Sequence, residues 1–244
     1  MTLTTPAAVT ATKQAPPDLK RTARITGLLY LGVAITGLAG FIVIRGQVMF
    51  VDGNPGQTLS HVLDHDVLAR VGIALELALV LTQTFAALWF YRLFRSVDAF
   101  TAGLIAVFGM VNAVAILGSA AQLAAARDVA VDSSLAGAGD AASTVQLLYV
   151  VSGHLWGVAS LFFGLWLIPM GQLVVRSGWL PKPLGWVLMV GGCGYVLSTF
   201  VAYLLPAAGL VADLLTVPAS IGEFWILGYL IAIGVRPRAT SSGA

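Results

Sequence analysis

Long apolar blocks separated by brief polar stretches set the pattern of this chain. Six blocks approach or exceed the roughly 20 residues that an α-helix needs to cross a bilayer. They cover 25–44, 67–91, 99–125, 145–170, 184–205 and 217–235. The pattern predicts an all-α integral membrane protein, a bundle of six transmembrane helices within residues 20–236. Residues 1–19 are rich in Thr, Ala and Pro, with little apolar periodicity, and read as a disordered tail; 237–244 read as a second one. The first block exceeds the roughly 7–15 residues of a signal-peptide core, and no small-residue cleavage pattern follows it. It therefore reads as a retained span.

The connections are unequal. Residues 45–66 carry a turn signal at Asp52-Gly53-Asn54-Pro55-Gly56, where Gly and Pro punctuate the chain. The stretch 58–66 after it is expected to form a short interfacial helix. Residues 126–143, rich in Ala, Gly, Ser and Asp, read as a flexible loop, and 206–216 as a segment along the interface.

Composition supports the same picture. Hydrophobic residues make up 58% of the chain and charged residues 10%, against roughly 25% charged in soluble domains. Too few polar side chains remain to coat a water-facing surface. A net charge of +2 without a long basic cluster argues against nucleic acid as a partner. Cys193 is the single cysteine, so no intramolecular disulfide is available. No zinc-finger or haem-attachment spacing is present, and no cofactor is expected.

Lys and Arg set the orientation. With a cytoplasmic N-terminus, Lys13, Lys20, Arg21, Arg24, Arg92, Arg95, Arg176, Lys182, Arg236 and Arg238 lie inside. Arg45, Arg70 and Arg127 then lie outside. That bias follows the positive-inside rule and places both termini on the cytoplasmic side.

Candidate chemistry comes from polar residues within the spans. A charged residue at a helix centre costs roughly 2.5–3.5 kcal/mol on insertion scales, so such residues are expected to face the bundle interior. Glu76, His154 and Glu223 are the ionisable ones, each roughly 8–14 Å below the outer end of its span at 1.5 Å per residue. Similar depth suggests a shared polar hollow in the outer half, though depth alone does not fix lateral convergence. Gln83 follows Glu76 by seven residues on one helix face, and Asn112, Ser119 and Gln122 form a second stripe. For the amides, interhelical hydrogen bonding is the ordinary role. Gly153, Gly157, Ser160 and Gly164 form a small-residue seam beside His154. His61 and His65 share a face by i, i+4 spacing, with Asp64 and Asp66 nearby. This is a weak metal candidate, because H-x-x-x-H is common and no H-E-x-x-H is present.

The stretches RITGLLYL (24–31), GHLWGVASLFFGLWLIPMGQLVVRSGWLPKPLGWVLMVGGCGYV (153–196) and PASIGEF (218–224) resemble a bacterial multi-pass membrane family, domain of unknown function 4386. Ser177-Gly178-Trp179-Leu180-Pro181 and Gly222-Glu223 are the more specific marks. The resemblance implies a compact helical membrane protein in the bacterial cell membrane and carries no established activity. The expected partners are membrane lipids and a hydrophobic small-molecule ligand, with association of identical chains compatible with six spans. The expected role is binding or transport of a lipid or small molecule through the outer polar site. Intramembrane acid–base catalysis on a lipid-soluble substrate and a non-enzymatic partner subunit are the alternatives.

Overall fold

The structure, a computed structural model, describes residues 17–236. Both tails assigned from sequence lie outside these residues, apart from 17–19, which are helical. Six helices are long and apolar enough to cross a membrane, and there is no strand among the described residues. The protein is a multi-pass membrane protein.

The first span begins as α1 (Pro17–Gly37) and continues as a π-helix over Leu38–Met49. After α2 (Pro55–Asp64) come α3 (Asp66–Phe94), α4 (Ala99–Val131), α5 (Ala141–Ser177), α6 (Lys182–Leu204) and α7 (Gly209–Ala232). The spans alternate in direction, so residues 17 and 236 lie at one end of the bundle, called here the terminal end. The connections around 50–65, 132–140 and 205–208 lie at the far end.

Side-chain capping explains several helix starts. Asp98 accepts the backbone N–H of Thr101 at 3.1 Å, and Asp140 accepts that of Ser143 at 2.8 Å. Asn54 does the same for Gln57, with Pro55 opening α2. Such oxygens satisfy helix N–H groups that have no partner inside the helix.

Three expectations change. Residues 45–49 belong to the first span, not to a loop. Helix α4 persists to Val131, so the 126–143 connection is largely helical, with a short 3₁₀ turn at Ser133–Ala136. Helix α7 starts at Gly209 and carries Pro218 in its interior, where 217 had been expected to open the span. Proline inside a membrane helix is tolerated because surrounding groups can satisfy the freed carbonyl.

The spans form a closed ring in the order α1, α3, α4, α5, α6, α7 and back to α1. Glycines set the close contacts: across α6–α7 a Cβ on Gly194 would stand 2.2 Å from the carbonyl oxygen of Leu215, and α5–α6 is nearly as close. A Cβ on Gly171 would stand 2.4 Å from the carbonyl oxygen of Gly185, and one on Gly164 would stand 2.7 Å from that of Gly192. The backbones of α5 and α6 therefore touch, as small-residue seams permit in membranes. Side chains from α1, α3 and α5 fill the centre. Tyr30, Phe90 and Trp166 meet edge to face with centroids 5.4–5.8 Å apart, a favourable quadrupole arrangement.

Candidate functional site

The site is built outward from Arg45. An α-helix ending near residue 44 would have left this side chain in a loop. The π-helical continuation instead carries it into the bundle, where it is only 7% exposed. Its Nη2 donates to the carbonyl of Tyr149 on α5 at 2.8 Å, and its Cζ stands 4.9 Å from the ring centre of Phe41. Its Nη1 has no partner. Gly153 makes room for the guanidinium, since a Cβ there would come within 2.7 Å of Nη2. The other two cations expected at this end, Arg70 and Arg127, both bond to Asp66. Arg45 forms no ion pair among the described residues.

Glu76 reaches the same neighbourhood from α3. It is 1% exposed, and its Oε1 accepts the indole N–H of Trp156 at 3.2 Å. Trp156 stacks on Phe41, with centroids 4.1 Å apart. Phe41 in turn lies under the guanidinium of Arg45. Acid, indole, phenyl and guanidinium thus form one connected chain. The Oε2 of Glu76 is buried without a partner. The hydroxyls of Ser119 and Ser152, both fully buried, share a hydrogen bond of 2.6 Å.

A cleft of about 680 Å³ opens at the far end between α5, α6 and α7, with Arg45 among its lining residues. His154 is exposed within it, its Nδ1 3.3 Å from the hydroxyl of Tyr203. Ser160 and Thr199 share a 2.9 Å hydrogen bond on the same lining. Asp52 and Asp213, both exposed, also line it. The one buried cation and the two exposed acids give the cleft a graded charge, basic within and acidic towards water.

Glu223 occupies a different place. It is half-buried and accepts a hydrogen bond from the hydroxyl of Tyr30 on α1. Both line a groove of about 240 Å³ between α1 and α7. A stacked pair stands between the two recesses: Phe163 lines the groove, Tyr195 lines the cleft, and their centroids are 6.1 Å apart. The shared hollow suggested by similar depth is therefore divided. Glu76 and His154 share the surroundings of Arg45, whereas Glu223 pairs with Tyr30. Depth fixes height along a helix but not azimuth around the bundle, and here the azimuths differ.

Gln83 and Asn112 are buried in the bundle interior, away from both lining sets. The Oε1 of Gln83 and both amide atoms of Asn112 lack partners. His61 and His65 lie 6.4 Å apart between ring centroids, and no group of three potential ligands gathers among the described residues. Asp64 and Asp66 thus complete no metal centre with them.

Arg45 and Tyr30 were missed as site residues by sequence reasoning. For Arg45 a signal existed. The apolar run resumes after it at Val48, Met49, Phe50 and Val51, so the span had grounds to continue. Tyr30 bonds to a residue 193 positions away, and no local pattern announces such a pairing.

No curated protein and no solved structure matches the chain. A scan against protein families matches the one described as Domain of unknown function (DUF4386) over residues 25–234, which takes in all six spans and both recesses. The chain belongs to the DUF4386 family.

Proposed function

We propose that the protein binds a lipid or other amphipathic small molecule in the far-end cleft, with the ligand's anionic group drawn to Arg45 and its apolar part lying along the wall formed by α5, α6 and α7. On the orientation read from Lys and Arg, this cleft faces the outer side. The observation that carries the reading is the guanidinium of Arg45: buried, near Glu76 but in ion-pair contact with no acid among the described residues, and lining a cleft of about 680 Å³. A buried charge is costly unless something offsets it, and only Nη2 has a protein acceptor. An anionic ligand would supply the second acceptor in charge-assisted form. His154 and Tyr203 would add donors on the wall, and the exposed acids at the rim would favour a zwitterionic headgroup over a purely anionic one.

The test is native mass spectrometry of the detergent-purified protein titrated with short-chain phosphatidylethanolamine and phosphatidylglycerol. Arg45→Met keeps side-chain length and removes the charge. It is expected to weaken binding about tenfold or more, the worth of a charge-assisted hydrogen bond, while thermal unfolding stays cooperative. His154→Ala is expected to weaken it less. Equal lipid retention by wild type and a well-folded Arg45→Met variant would contradict the reading.

A further inference from the structure

The α1–α7 groove differs from the cleft in every physical respect. Its lining comes from the first span, α5 and α7, with Tyr30, Ala34, Phe163, Ser220 and Glu223 among otherwise apolar side chains. No Lys, Arg or His is among them. Leu38, Ile42 and Phe224 at its edges are 57%, 50% and 70% exposed, and in a membrane-spanning bundle such side chains face acyl chains. The groove is therefore an opening towards the bilayer with one carboxyl group in its wall. Glu223 takes one hydrogen bond, from Tyr30, and no cation meets it among the described residues. The helices themselves make the space. They meet closely towards the terminal end, where a Cβ on Gly27 would lie 2.9 Å from Ile231. Beyond that contact the larger side chains of the lining hold them apart.

We infer that this groove is a second binding site, which takes a single-chain amphipathic amine from the bilayer and pairs its nitrogen with Glu223. Charge complementarity selects the ligand: the lining offers an acid, one phenol, one serine hydroxyl and otherwise hydrocarbon. A neutral alcohol or an anion would leave the carboxyl without an ionic partner. An amine entering uncharged and meeting the protonated acid forms the same pair as an ammonium meeting a carboxylate. Net charge therefore need not cross the hydrocarbon, where it is costly. The site does not depend on the cleft, because Arg45 does not line it.

Dicyclohexylcarbodiimide tests this directly. It dissolves in the membrane and activates carboxylic acids shielded from water; without a nucleophile the product rearranges to a stable N-acylurea. An amine held at the activated carboxyl instead forms an amide, with the C–N bond made as the C–O bond to the urea breaks. The expected result for the full-length protein in detergent is an N-acylurea on Glu223 with reagent alone. With dodecylamine present, a dodecylamide should replace it, exceeding any amide at Glu76 or Asp213 by about tenfold. Dodecanol at equal concentration should leave the N-acylurea unchanged. Ala34→Phe, which fills the groove, should suppress both products, and Arg45→Met should affect neither. Failure of the cleft reading would thus leave this result intact, and the reverse holds equally. Equal suppression of the N-acylurea by dodecanol would overturn the inference. So would an unreactive Glu223, and a dimeric mass in that case would make a second copy of the chain the occupant.

Discussion

Two seams of the ring, α5–α6 and α1–α7, show opposite ways of joining membrane helices. Along α5–α6, Gly164, Gly171, Gly185 and Gly192 bring the backbones together so closely that an added Cβ would strike a carbonyl oxygen at 2.4–2.7 Å. Along α1–α7 no glycine meets a carbonyl oxygen that closely among the described residues; a Cβ on Gly27 would meet the Ile231 side chain at 2.9 Å, and Tyr30, Leu38, Phe224 and Leu227 line the space beyond. Lipid tails are as apolar as leucine, so burying hydrocarbon gives little reason for helices to associate in a bilayer. Close van der Waals contact does, and the glycine seam maximises it. Where that contact is given up, the space created holds a carboxyl group. One seam maintains the bundle and the other leaves room for chemistry.

Substitutions can break or sharpen that contrast. The largest effect is expected from Gly171→Leu, which drives a branched side chain into the backbone of α6. Overpacking of this kind costs roughly 1–3 kcal/mol or more, and although the Met189 side chain can move, the Gly185 carbonyl at 2.4 Å is backbone and cannot yield without shifting α6. Size-exclusion chromatography and thermal unfolding in detergent should show a destabilised or aggregated protein. Ala34→Phe, on the open seam, should leave the unfolding temperature nearly unchanged. A similar loss from both would dissolve the distinction between the seams.

Trp156→Phe should have an intermediate effect. It keeps the stack on Phe41 but removes the indole N–H that the buried Oε1 of Glu76 accepts. Such orphaning costs about 1–3 kcal/mol, measurable by titrated unfolding. Glu76→Gln keeps an acceptor for the indole and should cost less. An inverse order would show that the indole N–H is not what Glu76 serves.

The smallest effect concerns the far-end cap. The backbone N–H of Ser143, then its hydroxyl, hold the carboxyl of Asp140 below its ordinary range. A lowered folded-state pKa contributes stability that is fully present above the unfolded value of about 3.9 and is lost as pH falls through the folded value. The contribution of this cap should thus be flat above about pH 5 and decline only below about pH 4. Asp140→Asn, which still caps, should remove part of that decline and little else. A change centred near neutral pH would exclude this cap as its cause. Asp98 is lowered for the same reasons, first by the N–H and hydroxyl of Thr101 and less by Arg176.

How far the sequence disclosed these features depended on the kind of information each one needs. The spans were legible because hydrocarbon thickness imposes a length on every crossing helix. The inward direction of Glu76, Gln83 and Asn112 was legible too, since seven-residue spacing keeps residues on one face and lipid penalises the other. Two boundaries were masked, although the apolar run that resumes after Arg45 was a signal for one of them. The π-helical continuation past Arg45 and the start of α7 at Gly209 both run through residues that ordinarily end a helix, Gly46 in one case and Pro218 in the other. The division between cleft and groove was hidden for a different reason. It depends on where α7 closes the ring against α1, a contact between segments nearly 200 residues apart. The partner of Glu223 is a tyrosine in an apolar run, where aromatic residues ordinarily pack without a polar role.

The division of the polar groups into a watery cleft and a bilayer-facing groove is tested most directly by spin-label accessibility. Nitroxides would be placed singly at His154→Cys and Glu223→Cys, in a Cys193→Ala background reconstituted in lipid. The account predicts that a water-soluble nickel chelate relaxes the label at position 154, while dissolved oxygen, which concentrates in hydrocarbon, relaxes the label at position 223. Strong relaxation of both labels by nickel would mean one continuous aqueous hollow and would contradict it.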